Sequence, residues 1–155
     1  MARRPQPGQA FWIVCDLGFA VGLMTHYVPR VRSALIWIAE PTFDEEPTVE
    51  DVERIDRWRW PIWFPLSVAL HRKLVTRIGM VPIPKQLQPF PLLRNGDKKH
   101  GWRLVRLVQD ANGSLAISGR GLGQCKDPSV PIDEGVNLAR LKEMIVSGWR
   151  PEDDW

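Results

Sequence analysis

Residues Phe11–Thr25 read FWIVCDLGFAVGLMT: two apolar runs, Phe11–Cys15 and Phe19–Thr25, that meet at Asp16-Leu17-Gly18. Aromatic and β-branched residues mark both arms as strands, and glycine supplies the positive φ that a tight hairpin turn asks for. A third apolar run, Ala34–Ala39 (ALIWIA), follows the polar crossing Tyr27–Ser33, which carries Pro29, Arg30 and Arg32. An isolated hairpin is marginal in water, so the three runs are expected to pair as a meander over a common core.

Around this meander the chain is heavily punctuated. Fourteen prolines in 155 residues predict few helices and short strands. Residues 1–9 are polar and proline-rich, which predicts a loose tail. In the acidic segment 41–56, Thr48 precedes Asp51 by three positions, behind Pro47, and resembles a capping box. Val49, Val52 and Ile55 then recur at helical spacing, predicting a short helix with Glu50, Asp51, Glu53 and Arg54 toward water.

The next segment, Arg57–Leu70 (RWRWPIWFPLSVAL), crowds Trp58, Trp60 and Trp63 together, while Pro61 and Pro65 exclude a central strand or a helix. Lys73–Met80 alternates apolar and polar residues as a strand does. Val81–Leu92, with four prolines, predicts an extended irregular path, and Asn95–Lys99 a solvated turn. Trp102–Gln109 and Ser114–Ser118 flank Asp110-Ala111-Asn112-Gly113, a strong hairpin signal, and a glycine-rich loop, Gly119–Gly123, follows. Val136–Ser147 predicts an amphipathic helix with Leu138, Leu141, Met144 and Ile145 on one face, closed by Gly148 and Pro151.

These elements define an α+β chain, mainly antiparallel β, as a curled sheet or small barrel with a short acidic helix and a C-terminal amphipathic helix. One domain over residues 10–150 is expected, with 151–155 as a C-terminal tail. A content of 44% hydrophobic and 25% charged residues excludes general disorder. The net charge of +3 permits a nucleic-acid or acidic partner but demands neither, since 18 acidic residues accompany 21 basic ones. No apolar run has the length of a membrane span. Arg3-Arg4 imitates a secretion signal, yet Pro5, Pro7 and Gly8 break its helix and Asp16 interrupts its apolar part, so a cytoplasmic location is expected.

Few residues offer chemistry. His26, His71 and His100 are far apart and no C-x-x-C or H-E-x-x-H spacing occurs, so neither a metal site nor a catalytic residue is predicted, and no cofactor. Cys15 and Cys125 are expected as reduced thiols, Cys15 as a small core residue. The stretch Gly119–Lys126 (GRGLGQCK) resembles a phosphate cradle but lacks the Walker spacing, and reads better as a flexible loop. The acidic run could supply paired carboxylates for acid–base work or hold a divalent cation, but reads better as a solvated face, with a recognition surface for a basic partner as the other useful reading. Arg54–Trp63 interleaves cations with aromatic rings. That pattern suits a core built of Trp, a protein-binding hot spot, or a single-strand groove.

The order of motifs resembles the immunity protein 26 family of bacterial polymorphic-toxin systems. The resemblance rests on Phe11-x-x-Val14, Gly18-Phe19-Ala20-x-Gly22, Pro47-Thr48-Val49-Glu50-Asp51 and the proline-rich Val81–Phe90, and covers roughly residues 9–118. It implies a β-rich protein that binds and neutralises a cognate toxin inside the producing cell, without catalysis.

The expected function is therefore that of a non-enzymatic immunity-type inhibitor. Its expected partner-binding residues are Asp44, Glu45, Glu46, Glu50, Asp51, Glu53, Arg57, Trp58, Arg59 and Trp60. The alternative is a nucleic-acid-binding small β-barrel module using Arg57, Trp58, Arg59 and Trp60 with Arg103 and Arg106 on a neighbouring strand.

Overall fold

The computed structural model describes residues 4–28, 33–109 and 115–155. Strands β1 (Gln9–Cys15), β2 (Gly18–Val28) and β3 (Ser33–Phe43) form the expected antiparallel meander. Cys15 pairs with Gly18, which leaves Asp16 and Leu17 as the turn. Gly18 has φ 108°, and a Cβ there would stand 2.4 Å from the Phe43 carbonyl oxygen. Both backbone and crowding demand glycine.

Two further strands complete this sheet in the order β4-β3-β2-β1-β5: β4 (Trp58–Phe64) and β5 (Thr76–Met80). The sequence excludes a central strand at Pro61, and the chain makes an edge strand there instead. A residue without an N–H is tolerated where the ladder is one-sided. The outer margin of β4 is partly covered, because Trp63 donates its N–H to Glu134 and accepts from Val136. β5 is shorter than the predicted run: Lys73, at φ 57°, lies in the turn before it.

The second sheet orders β6 (Leu93–Asp97), β7 (Gly101–Gln109) and β8 (Leu115–Ser118) as β6-β7-β8. The expected solvated turn at Asn95–Lys99 is corrected, since Asn95, Gly96 and Asp97 pair with Arg103, Trp102 and Gly101 and the reversal falls just after them. The predicted turn at 110–113 lies outside the described residues. Both sheets stay open, with β4 and β5 at opposite edges of the larger one, so the curled-sheet form of the expectation holds and the barrel form does not.

Helix α1 (Val49–Glu53) starts at the foreseen capping box: Asp51 N–H donates to Thr48 Oγ1 at 3.2 Å, and Thr48 N–H to the Asp51 carboxylate at 2.8 Å. α2 (Leu66–His71) was not expected; it follows Pro65 directly and buries Leu66 and Ala69. α3 (Leu138–Ser147) is capped by the Asn137 side chain and ended by Gly148 in the left-handed region.

Alternation along the strands divides the apolar residues between two faces. On one face Phe11, Ile13, Met24, Ile36, Ile38, Trp60, Ile62 and Phe64 pack against Leu141, Met144 and Ile145 of α3. The opposite face is shared. Ala10, Val21, Leu23 and Ala39 pack under Val52, Ile55 and Leu87, whereas Leu35 and Trp63 meet Leu93, Val105 and Leu107 of the second sheet.

Neither terminus is a free tail over its described residues. Gly8 donates to Met24 and accepts from Val81. Pro151 is buried at the start of a 3₁₀ turn, Pro151–Asp154, and Trp155 stacks on Trp102.

Candidate partner-binding surface

Of the ten expected partner-binding residues only Trp58, Arg59 and Trp60 lie on β4, and a bulge in its pairing with β3 sends Trp58 and Trp60 to different core clusters. Trp60 is 1% exposed, donates its indole N–H to the Trp149 carbonyl at 3.0 Å and meets the Trp149 ring edge-on. Its assignment to the surface is corrected: it is a core residue. Arg59 is also committed internally. One of its terminal nitrogens donates to the Ile145 carbonyl and the other to the Glu40 carbonyl, each at 3.1 Å, so it ties α3 to the sheet edge. Glu40 accepts from Arg150 at 2.9 Å and lies 3.8 Å from Arg59.

Arg57 and Trp58 do reach a surface, a cleft of about 580 Å³ between β3, β4, the 3₁₀ turn Lys85–Leu87 and the C-terminal segment. Trp37, Trp58 and Leu87 give it apolar walls, and Glu40, Asp56, Arg57 and Arg150 give it a charged rim. Trp37 and Trp58 pack against the same small core as Val52 and Ile55, so the cleft and α1 share a foundation. Neither indole N–H has an acceptor among the described residues, and both are shielded from water. An orphaned buried donor costs about 1–3 kcal/mol, so this wall is imperfectly satisfied in the isolated chain.

Asp44, Glu45, Glu46, Glu50 and Glu53 are exposed, and none makes a side-chain hydrogen bond or ion pair among the described residues. Asp51 differs, because its carboxylate is spent on the capping box.

The residues of the nucleic-acid alternative do not converge. Arg103 and Arg106 are three positions apart on a regular stretch of β7 and point to opposite faces of the second sheet. Arg103 lines a different cleft, which shares no residue with that of Arg57 and Trp58.

Among the described residues no group of three or more His, Cys, Asp or Glu side chains is placed to hold a metal ion, and no helix is long and apolar enough to cross a membrane. Cys15 and Cys125 are free thiols; Cys15 is half-buried against the main core and Cys125 buried. His26 sits between Thr25 and the Gln88 carbonyl, with its ring 4.2 Å from that of Phe90. Burial pushes its pKa down, partly opposed by the hydrogen bond to Gln88.

The fold thus defines an α+β protein of two open antiparallel sheets with a tryptophan-walled cleft beside an acidic helix. Comparison with protein-family models, curated proteins and solved structures gives no match.

Proposed function

We propose that the chain is a non-enzymatic inhibitor of the immunity type, which neutralises a cognate bacterial toxin by direct binding through the face formed by α1 and the Trp37–Trp58 cleft. One observation carries this reading: five exposed carboxylates with no side-chain partner among the described residues stand on and just before α1, whose Val52 shares a core cluster with the cleft walls Trp37 and Trp58. An aromatic centre ringed by charge is the usual anatomy of a protein interface. The free carboxylates favour a basic surface opposite them and speed encounter with it. The motif resemblance points to the same function, and an interface of ordinary size, about 1,600 Å² in total, accommodates both features.

The test is a pull-down with tagged protein from its own host at low and high salt, with nuclease treatment as a control. It is repeated with a variant carrying Glu45→Lys, Glu46→Lys and Glu50→Lys. A single toxin-like protein, retained after nuclease, released by the variant and inhibited on addition of the wild-type chain, is the expected result. Recovery of nucleic acid alone, lost at high salt, overturns it.

A further inference from the structure

The second sheet carries a separate cleft of about 690 Å³, formed where the glycine-rich loop folds back on β7. Two short bonds fix that loop: Leu104 N–H donates to Gly123 at 3.0 Å, and Cys125 N–H to Trp102 at 2.9 Å. This antiparallel bridge between Arg103 and Gln124 brings Arg103 to the same cleft as Arg120.

Three properties of the cleft converge. Its charged lining residues are Arg103 and Arg120, with His100 alongside, and no carboxylate lines it. Two acidic side chains of the flanking segments already have partners. Asp97 holds His100 through its ring and backbone N–H, and Asp127 accepts from the hydroxyl and N–H of Ser129. Neither Arg103 nor Arg120 has a side-chain partner among the described residues, in contrast to Arg59 and Arg94.

The backbone is open as well. Gly121 and Gly123 have φ 77° and 78°, and a Cβ on either would meet nothing within 4 Å. The N–H groups of Gly121, Gly123 and Gln124 donate to no acceptor among the described residues. Successive amides turned toward one concavity by a left-handed residue make an anion nest, and Gly123-Gln124 is the successive pair of free amides here, since Leu122 N–H is bonded to Gly119. Guanidinium groups match phosphate oxygens with paired donors.

We infer that this cleft binds a phosphate-bearing ligand, held by Arg103 and Arg120 and by the free amides of Gly121, Gly123 and Gln124. Its volume is that of a small-molecule site rather than of a single anion. Trp102 is 9% exposed and covered by other groups, so the cleft offers no stacking platform for a base. The recognised chemistry is phosphate itself, whether from a nucleotide or from a nucleic-acid backbone. The inference does not rest on the inhibitor reading, which uses another face.

The experiment is a titration of the ¹⁵N-labelled protein at low salt with pyrophosphate, a nucleoside triphosphate and a single-stranded thymidine oligomer, followed by amide shifts. The amides of Gly121, Gly123 and Gln124 are expected to move together and saturably. Arg103→Gln with Arg120→Gln should weaken binding by about ten-fold or more, whereas Arg140→Gln on α3 should leave it unchanged. The oligomer binding far more tightly than pyrophosphate, with a steep salt dependence, assigns the phosphate to nucleic acid; comparable binding of pyrophosphate and nucleotide assigns it to a small ligand. No saturable shift with any of the three, or shifts that survive the double variant in a protein of unchanged melting temperature, overturns the inference.

Discussion

The ring of Phe11 lies directly over Gly22, its partner across the β1–β2 ladder: a Cβ on Gly22 would stand 2.3 Å from the ring's Cζ. Phe11 is fully buried and is held from its other side by the near-parallel ring of Phe64, with centroids 6.3 Å apart. It has nowhere to go. Gly22→Ala is therefore expected to destabilise the fold by about 1–3 kcal/mol through overpacking rather than through backbone strain. Phe11→Leu in the same chain should relieve part of that cost, giving a double-mutant cycle with strong coupling. Urea denaturation of the four proteins measures it, and strict additivity would sink this account.

The same pair shows what the sequence reveals. Gly18 and Gly22, with Phe11, were legible as a motif, and their spacing is explained by one turn and one ring. The capping box at Thr48 and Asp51 and the helix ended by Gly148 were legible too, because a cap involves only residues three or four apart. What stayed hidden depends on distant contacts. Pro61 forms part of a strand because nothing beyond β4 needs its missing N–H. Asn95-Gly96-Asp97 has turn chemistry yet pairs as a strand, with the turn displaced to its end. The cleft walls at Trp37, Trp58 and Leu87 come from three separate segments. A run of Trp and Arg residues shows that both types are present, but the bulge in β4, which breaks the alternation between Trp58 and Trp60, decides which of them face water.

Arg94 is a cation with no exposed surface. Its guanidinium lies 4.4 Å from the centroid of Trp102 and 5.2 Å from that of Trp155. It donates to the carbonyls of Pro128, Val130 and Pro151. Burial works to lower its pKa, opposed by the charge of nearby acidic groups, yet a guanidinium stays charged in proteins. Arg94→Ala leaves three carbonyls without their donor and two rings without their cation. A loss of about 3–5 kcal/mol is expected from the three stranded carbonyls and the space left in the core. Arg94→Lys should recover only part of it, since an ammonium lacks the planar fork. Trp155→Ala should cost about 1–2 kcal/mol. Thermal or urea unfolding ranks the three variants, and a Lys variant as stable as wild type would refute the fork argument.

His26 makes stability depend on pH. Its Nε2 bonds the Gln88 carbonyl at 3.0 Å, its Nδ1 lies 2.9 Å from the Thr25 hydroxyl, and burial disfavours the charged ring. The folded pKa lies below the unfolded value, so as the pH falls below about 6.5 the unfolded chain takes up this proton first. The His26 contribution is thus neutral above that pH, and stability declines as the pH falls toward the folded pKa. Denaturation at a series of pH values should give a shallower decline for His26→Gln than for wild type. Identical slopes would remove His26 as the cause.

Trp58 and Trp60 stand two residues apart on one strand but differ in their indole nitrogens, which separates packing from surface roles. The N–H of Trp60 is bonded to the Trp149 carbonyl at 3.0 Å, whereas that of Trp58 has no acceptor among the described residues. Trp60→Phe removes a satisfied donor, strands a buried carbonyl and leaves space beside Trp149, so a loss of about 2–3 kcal/mol is expected. Trp58→Phe removes an unsatisfied donor, and the apolar area lost is partly offset by relief of that penalty; the net change should stay within about 1 kcal/mol. Partner affinity should respond in the opposite order. Trp58→Ala, which empties one wall of the cleft, should weaken binding by about 2 kcal/mol or more, while Trp60→Phe, once folded, should bind as wild type. Equal stability losses in the two Phe variants would show that the orphaned indole finds a partner in solution, and an unaltered affinity in Trp58→Ala would move the interface away from this cleft.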